Sequence, residues 1–222
     1  MSRPSAQSAQ RYPITTIFGT EANVRLVREL ARHGGQLSGP DLAVRTKLAR
    51  ASTWRALLSL EKTGIIESTG SGRVRLYNLR TEHPLSVAIA ALFEAEEMRF
   101  AAIRDAVREA ASKNAYGLLA VWIYGSFARG EDHLDSDLDI VIVVEPNNTA
   151  RAANGIRDAL ISPGEKLGFA PSVVELERDD IERLAHQRDP WSLGVSADAI
   201  TVFGVRPVNI FARLQPEDFR EV

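Results

Sequence analysis

The sequence predicts an α+β protein in two dissimilar parts, and three observations carry that expectation. Charge is divided: residues 1–80 hold thirteen Lys and Arg against five Asp and Glu, and residues 81–222 hold fourteen against twenty-four. The first part shows apolar residues at helical spacing, punctuated by glycine, and closes in a short strand pair. The second part carries apolar runs at Leu118–Tyr124 and Ile140–Val144 and a β-branched, alternating run at Ser172–Glu177 after a long helical stretch. The expected boundaries are 15–80 for the first domain, 81–97 for a helical linker, 98–206 for the second domain and 207–222 for a C-terminal tail.

The elements follow in order. Glu21 to His33 places Val24, Val27 and Leu30 on one face and stops at Gly34-Gly35. Ser38 with Asp41 three residues later forms a capping signal for a short helix to about Leu48. Ser52 is expected to cap a second helix, Thr53 to Thr63, with Leu57, Leu58 and Leu60 facing the core and Arg50, Thr53 and Arg55 facing outward. Ile65-Ile66-Glu67 then reads as a strand, paired with Arg73–Tyr77 across Gly70-Ser71-Gly72. Trp54, beside Leu57 and Leu58, is expected in the core, with stacking on a base as the alternative.

Pro84 to Lys113 reads as one long or broken helical stretch. Its later part is expected to pack on the second domain. Its earlier part, Leu85 to Phe93, either links the domains or pairs with its copy in a homodimer. After the strand at Ser172–Glu177, Arg178–Ala185 reads as a helix, Asp189-Pro190-Trp191 as a turn and Ala199–Gly204 as a closing strand. His33, His83, His133 and His186 show no ligand spacing.

Composition excludes several function classes. The 222 residues include no cysteine, which removes disulfides, thiolate zinc sites and cysteine nucleophiles. No apolar run approaches the ~20 residues that span a bilayer, and Met1–Gln10 is polar, so a cytoplasmic location without membrane attachment is expected.

One segment concentrates chemistry. Gly125-Ser126 is followed, after ten residues, by Asp137-x-Asp139 running into the apolar strand Ile140–Val144. Glycine allows close approach of backbone to phosphate, and a serine opening a short helix offers hydroxyl and amide donors. Two carboxylates two apart on a strand project from one face, and hard oxygen ligands of that kind suit Mg²⁺. Arg129 is placed to meet either a nucleotide phosphate or a local acid.

This segment resembles the signature of the DNA polymerase β-like nucleotidyltransferases, in the short form of the minimal members, over roughly residues 95–205. The resemblance implies that Gly125 and Ser126 hold the triphosphate of an NTP, with ATP expected, and that Asp137 and Asp139 bind two Mg²⁺ ions. It also implies a third acid on a later strand, which shares a metal and activates the acceptor hydroxyl. Glu175 is the expected third acid and Glu177 the fallback. The implied reaction is transfer of an NMP, AMP being expected, to an acceptor hydroxyl, and the basic first part suggests that the acceptor is a macromolecule.

Residues 15–80 are similar to a winged helix-turn-helix domain of bacterial regulators, on the run Ser52–Ile66 and the basic hairpin after it. That resemblance implies DNA contacts from Arg50, Ser52, Thr53 and Arg55, with Arg73 and Arg75 of the wing on phosphate. Contact with protein or RNA remains an alternative. So does a regulator or antitoxin-like protein whose nucleotidyltransferase domain senses nucleotide or modifies a partner.

Overall fold

The computed structural model describes residues 8–71, 75–146, 148–187 and 189–213. The chain divides into two compact units, Met1–Met98 and Arg99–Val222.

The first unit begins with α1 (Pro13–Ile17) and α2 (Glu21–His33). Thr20 caps α2, its side-chain oxygen accepting from the Asn23 amide at 3.1 Å, and Gly34 ends it at φ 67°. The two-residue strand β1 (Leu37–Ser38) leads into α3 (Gly39–Arg45), where Ser38 Oγ accepts from the Asp41 amide at 3.2 Å. Then come α4 (Arg50–Thr63), β2 (Ile66–Thr69), β3 (Leu76–Leu79) and α5 (Ser86–Lys113). The three strands form an antiparallel sheet in the order β1-β3-β2, pairing Leu37 with Tyr77 and Ile66 with Leu79. β1 is too short for alternation to announce it. Leu26, Leu30, Leu57, Leu60, Ile65 and Tyr77 are buried in one core against which the helices and sheet pack.

Four expectations change here. α4 starts at Arg50 with Ala49 in the cap position and no side-chain cap, so Ser52 lies in the first turn instead of capping it. Leu58 is 38% exposed and Trp54 is 51% exposed, so neither belongs to the core. The burial stripe of α4 runs through Thr53, Ala56, Leu57 and Leu60, one residue round from the expected face. Ile89 and Phe93 of α5 are buried in this unit's own core, Phe93 meeting Phe18 edge-on at 6.1 Å. They are therefore not available to pair with a second copy.

In the second unit, the later residues of α5 (Ile103, Val107, Ala110 and Ala111) are buried. They are followed by β4 (Leu118–Ile123), α6 (Gly125–Arg129), β5 (Leu138–Val144), α7 (Thr149–Leu167) and β6 (Pro171–Glu177). α8 (Arg178–His186), α9 (Pro190–Asp198), β7 (Ile200–Gly204) and α10 (Pro207–Arg213) complete it. The sheet order is β6-β5-β4-β7, with β5 and β6 parallel and the other pairs antiparallel. The parallel pair needs a crossover, and α7 supplies it. Pro163 inside α7 disguises that helix in the sequence.

Alternation along β5 splits the core in two. Leu138, Ile140, Ile142 and Val144 join residues of α5 and α7 on one face, and Val141 and Val143 join residues of α8, α9 and α10 on the other. Fully buried Trp122 anchors the second face, its indole nitrogen donating to the Val205 carbonyl at 2.7 Å. Asp189-Pro190-Trp191, expected as a turn, opens α9: Asp189 accepts from the Trp191 amide at 2.9 Å, and proline occupies the first helical turn. The expected tail starts with α10, whose Phe211 is buried 6.2 Å from Trp122. Among the described residues, no helix is long and apolar enough to cross a membrane.

Candidate active site

The site is built where β4 hands the chain to α6 and where β5 begins. Leu138, buried between the two aspartates, donates its amide to the Ala170 carbonyl at 2.7 Å. That bond pins the strand so that Asp139, with Val141 and Val143, takes the opposite face, and Asp137 shares its parity. The Tyr124 amide donates to the Asp139 carbonyl at 3.0 Å, bringing the end of β4 beside the acids. Gly125 follows with φ 74°, and a Cβ at this position would stand 2.3 Å from Asp139 Oδ2. Only glycine permits both the left-handed backbone and this approach.

The electrostatics favour a cation. Partial burial and the neighbouring Asp137 charge raise the Asp139 pKa above the ordinary carboxylate value, while Arg129 pulls it down. Burial and Asp139 likewise raise the Tyr124 pKa, opposed by a hydrogen bond with Trp191, whose ring meets Tyr124 edge-on at 5.5 Å. Arg129 Nε lies 2.8 Å from Glu131 Oε2, so of the two expected partners the local acid holds it. That hydrogen bond is the main cause of its raised pKa, and Asp198 and Asp139 add to it.

Asp137 and Asp139 fit a divalent cation completed by water and phosphate oxygens. The third acid does not fit. In the β5–β6 register, Asp139 lies beside Ser172, and Glu175 lies beside Ile142 on the opposite face. Glu175 instead meets Arg157 of α7 at 2.6 Å, and Glu177 accepts from Thr149 Oγ1 at 2.5 Å. Neither glutamate reaches the aspartates, because a strand turns alternate side chains to opposite faces and the pairing register fixes which ones. Among the described residues, no group of three or more His, Asp or Glu side chains could hold a metal ion. Glu175→Gln is therefore expected to lower the melting temperature by only a few degrees, since a part-exposed pair contributes about 0.2–1 kcal/mol. Nucleotide affinity, measured by equilibrium dialysis, should stay unchanged.

The expected DNA contacts are dispersed. Arg50 and Arg55 are exposed on α4 and Ser52 is half-buried beside them, but Thr53 is buried with its hydroxyl donating to the Ala49 carbonyl at 3.2 Å. Arg75 bonds Glu61 at 2.6 Å and Ser68 at 2.9 Å, so it is held by its own unit. Arg73 lies outside the described residues. Exposed Trp54, which the sequence reading placed in the core, lines a cleft of about 490 Å³ with Arg50 and Tyr77.

Residues 103–190 match the family model described as the nucleotidyltransferase domain. The chain carries a nucleotidyltransferase domain. Asp137, Asp139, Gly125 and Ser126 all fall inside the matched residues. A mutant of the MntA–HpeT toxin–antitoxin aligns at 14% identity over 50% of this chain and 82% of that one, with TM-score 0.35. The AntR antimony-specific transcriptional repressor aligns at 23% identity over 44% of this chain and 92% of that one, with TM-score 0.33. NadR in complex with 4-hydroxyphenylacetate aligns at 23% identity over 47% and 85%, with TM-score 0.33. No curated protein matches the chain.

Proposed function

We propose that the nucleotidyltransferase domain moves an NMP from an NTP, with ATP the first donor to test, to a hydroxyl on a macromolecule. The approach of Gly125 to Asp139, beside Asp137, supports this reading best. It leaves room for phosphate oxygens at two carboxylates whose mutual repulsion a cation would relieve. Mg²⁺ bound there supplies neutralisation of the developing phosphoryl charge. Gly125 and Ser126 hold the triphosphate, and Asp137 and Asp139 orient the donor towards the acceptor. The test is incubation of the full chain with α-labelled ATP, Mg²⁺ and cell lysate. Label should enter a macromolecule and should be lost with EDTA; a lysate left unlabelled in Mg²⁺ would sink the reading.

A second reading, a winged helix that binds DNA so that the protein regulates transcription or acts as an antitoxin, draws on the charges of the first unit. Arg25, Arg28, Arg32, Arg45 and Arg75 pair with glutamates. Among the described residues, Lys47, Arg50 and Arg55 form no ion pair and cluster at the start of α4. Unpaired cations on an exposed helix start are suited to phosphate. In a low-salt gel shift on the protein's own upstream DNA, Arg50→Ala with Arg55→Ala should weaken binding and reduce the salt slope by about two. An undiminished shift would point to contacts elsewhere.

A further inference from the structure

Beside Asp137 lies a cleft of about 290 Å³, floored by Ile103, Phe127 and Phe169 and rimmed by Asp132, His133 and Asp137. Its size is at the lower end of small-molecule sites, about 300 Å³, which suits one side chain better than a nucleotide. It opens on the same side of β5 as Leu138, whereas Gly125 and Asp139 meet on the other, where the proposed phosphate site lies.

Charge decides what can enter. From Glu131 to Asp137 the chain carries four acids and no Lys or Arg, and Asp132, Asp135 and Asp137 are exposed. The cleft's cation, Arg99, donates to the Leu167 carbonyl at 2.7 Å and to the Gly168 carbonyl at 2.8 Å, which engages it locally. Leu134, at the tip of this acidic loop, is fully exposed. The loop itself is held in shape, since the His133 amide donates to Ser136 Oγ at 2.9 Å and the Ser136 amide to the His133 carbonyl at 3.0 Å. A nucleic acid would bring a line of phosphates against these carboxylates, and like charges brought together cost several kcal/mol. A neutral or basic protein segment gains from them instead.

We propose that this cleft is the acceptor half of the site and takes a hydroxyl-bearing side chain from a neutral-to-basic segment of a partner protein, excluding nucleic acid. The inference rests on the transfer reaction proposed above. The hydroxyl oxygen bonds to the α-phosphorus as the bond from that phosphorus to the α–β bridging oxygen breaks. Pyrophosphate leaves with the bonding pair, and the hydroxyl proton passes to water. Asp137 stands where the two halves meet, because it belongs both to the acid pair and to the cleft rim.

The experiment offers the full chain α-labelled ATP and Mg²⁺ with synthetic peptides carrying one Ser, Thr or Tyr flanked by lysines or by aspartates. A single-stranded oligoribonucleotide with a free 3′-hydroxyl serves as the competing acceptor. The lysine-flanked peptides should be labelled about tenfold faster than the aspartate-flanked ones, and the oligoribonucleotide should stay unlabelled. Asp132→Lys with Asp135→Lys should reverse the preference for flanking charge, and Asp135→Lys alone should halve it on a logarithmic scale. Binding of ATP by equilibrium dialysis should be the same in all variants. Label on the oligoribonucleotide, a preference unmoved by charge reversal, or no label on any peptide while ATP is bound would each overturn the proposal. Failure of the wild-type chain to bind ATP with Mg²⁺ would instead overturn the transfer reading on which it rests.

Discussion

Asp139→Asn is expected to lower Mg²⁺-dependent label transfer by about a thousandfold while raising the melting temperature of the metal-free protein at neutral pH. The first effect follows from the proposed reaction, in which this carboxylate would place the metal and the phosphates, a contribution of several kcal/mol to the transition state. The second follows from the raised pKa of Asp139, caused first by its partial burial and then by the Asp137 charge. A carboxyl whose pKa is raised on folding favours the native state in its protonated form. That contribution is fully present below the ordinary carboxylate value, about 4, and is lost as pH rises through the raised value. At neutral pH the ionised Asp139 therefore opposes folding, and asparagine relieves it. Melts at pH 3 and pH 7 check the sign: the stabilisation should appear at pH 7 and vanish at pH 3. Added Mg²⁺ should stabilise the wild type more than the variant. A variant less stable than the wild type at pH 7 without metal would contradict this account.

Gly125→Ala should be nearly as damaging to transfer, for a steric reason. The new methyl would meet Asp139 Oδ2 at 2.3 Å, and the φ of 74° disfavours any residue with a Cβ. The contact can relax only if Asp139 swings away or the turn before α6 reshapes. Either movement separates the phosphate turn from the acids. A loss of about a hundredfold or more in transfer is expected, since sub-ångström to ångström misplacements carry penalties of that size. Affinity for ATP with Mg²⁺ should fall in parallel, and a melting curve should show a stability loss of about 1–3 kcal/mol. Wild-type transfer by Gly125→Ala would remove the steric argument for the site.

The approach of Gly125 to Asp139, on which the proposed donor site rests, could be read in the sequence because its parts lie close along the chain. Gly125, Ser126, Asp137 and Asp139 sit on one turn and one strand start, and local spacing fixes their relation. The third acid was misread because it depends on the pairing of β5 with β6, which is set by packing over a long crossover. Glu175 and Ser172 differ by three positions and so face opposite sides, and nothing in the run Ser172–Glu177 says which side meets Asp139. On α4 the same kind of error amounts to one residue of helix phase, which exposes Trp54 and Leu58 and buries Thr53. α7 went unread because Pro163 argues against a helix that tertiary packing nevertheless sustains. The acids from Glu131 to Asp135 drew no reading of their own, because only the fold puts Phe127, Phe169 and Asp137 around one space.

The three tryptophans make the molecule its own optical instrument. Trp122 is sealed in the sheet, Trp54 stands in water on α4, and Trp191 rests against Tyr124 at the edge of the acid pair. With Trp54 and Trp122 replaced by phenylalanine, emission would come from Trp191 alone and would test, without a label, the nucleotide binding proposed beside it. Keeping Trp54 alone would test the DNA contact proposed for α4, and Trp122 alone would follow unfolding. Each half of the protein can thus be watched by light in a single cuvette, and the two proposed binding events can be timed against one another.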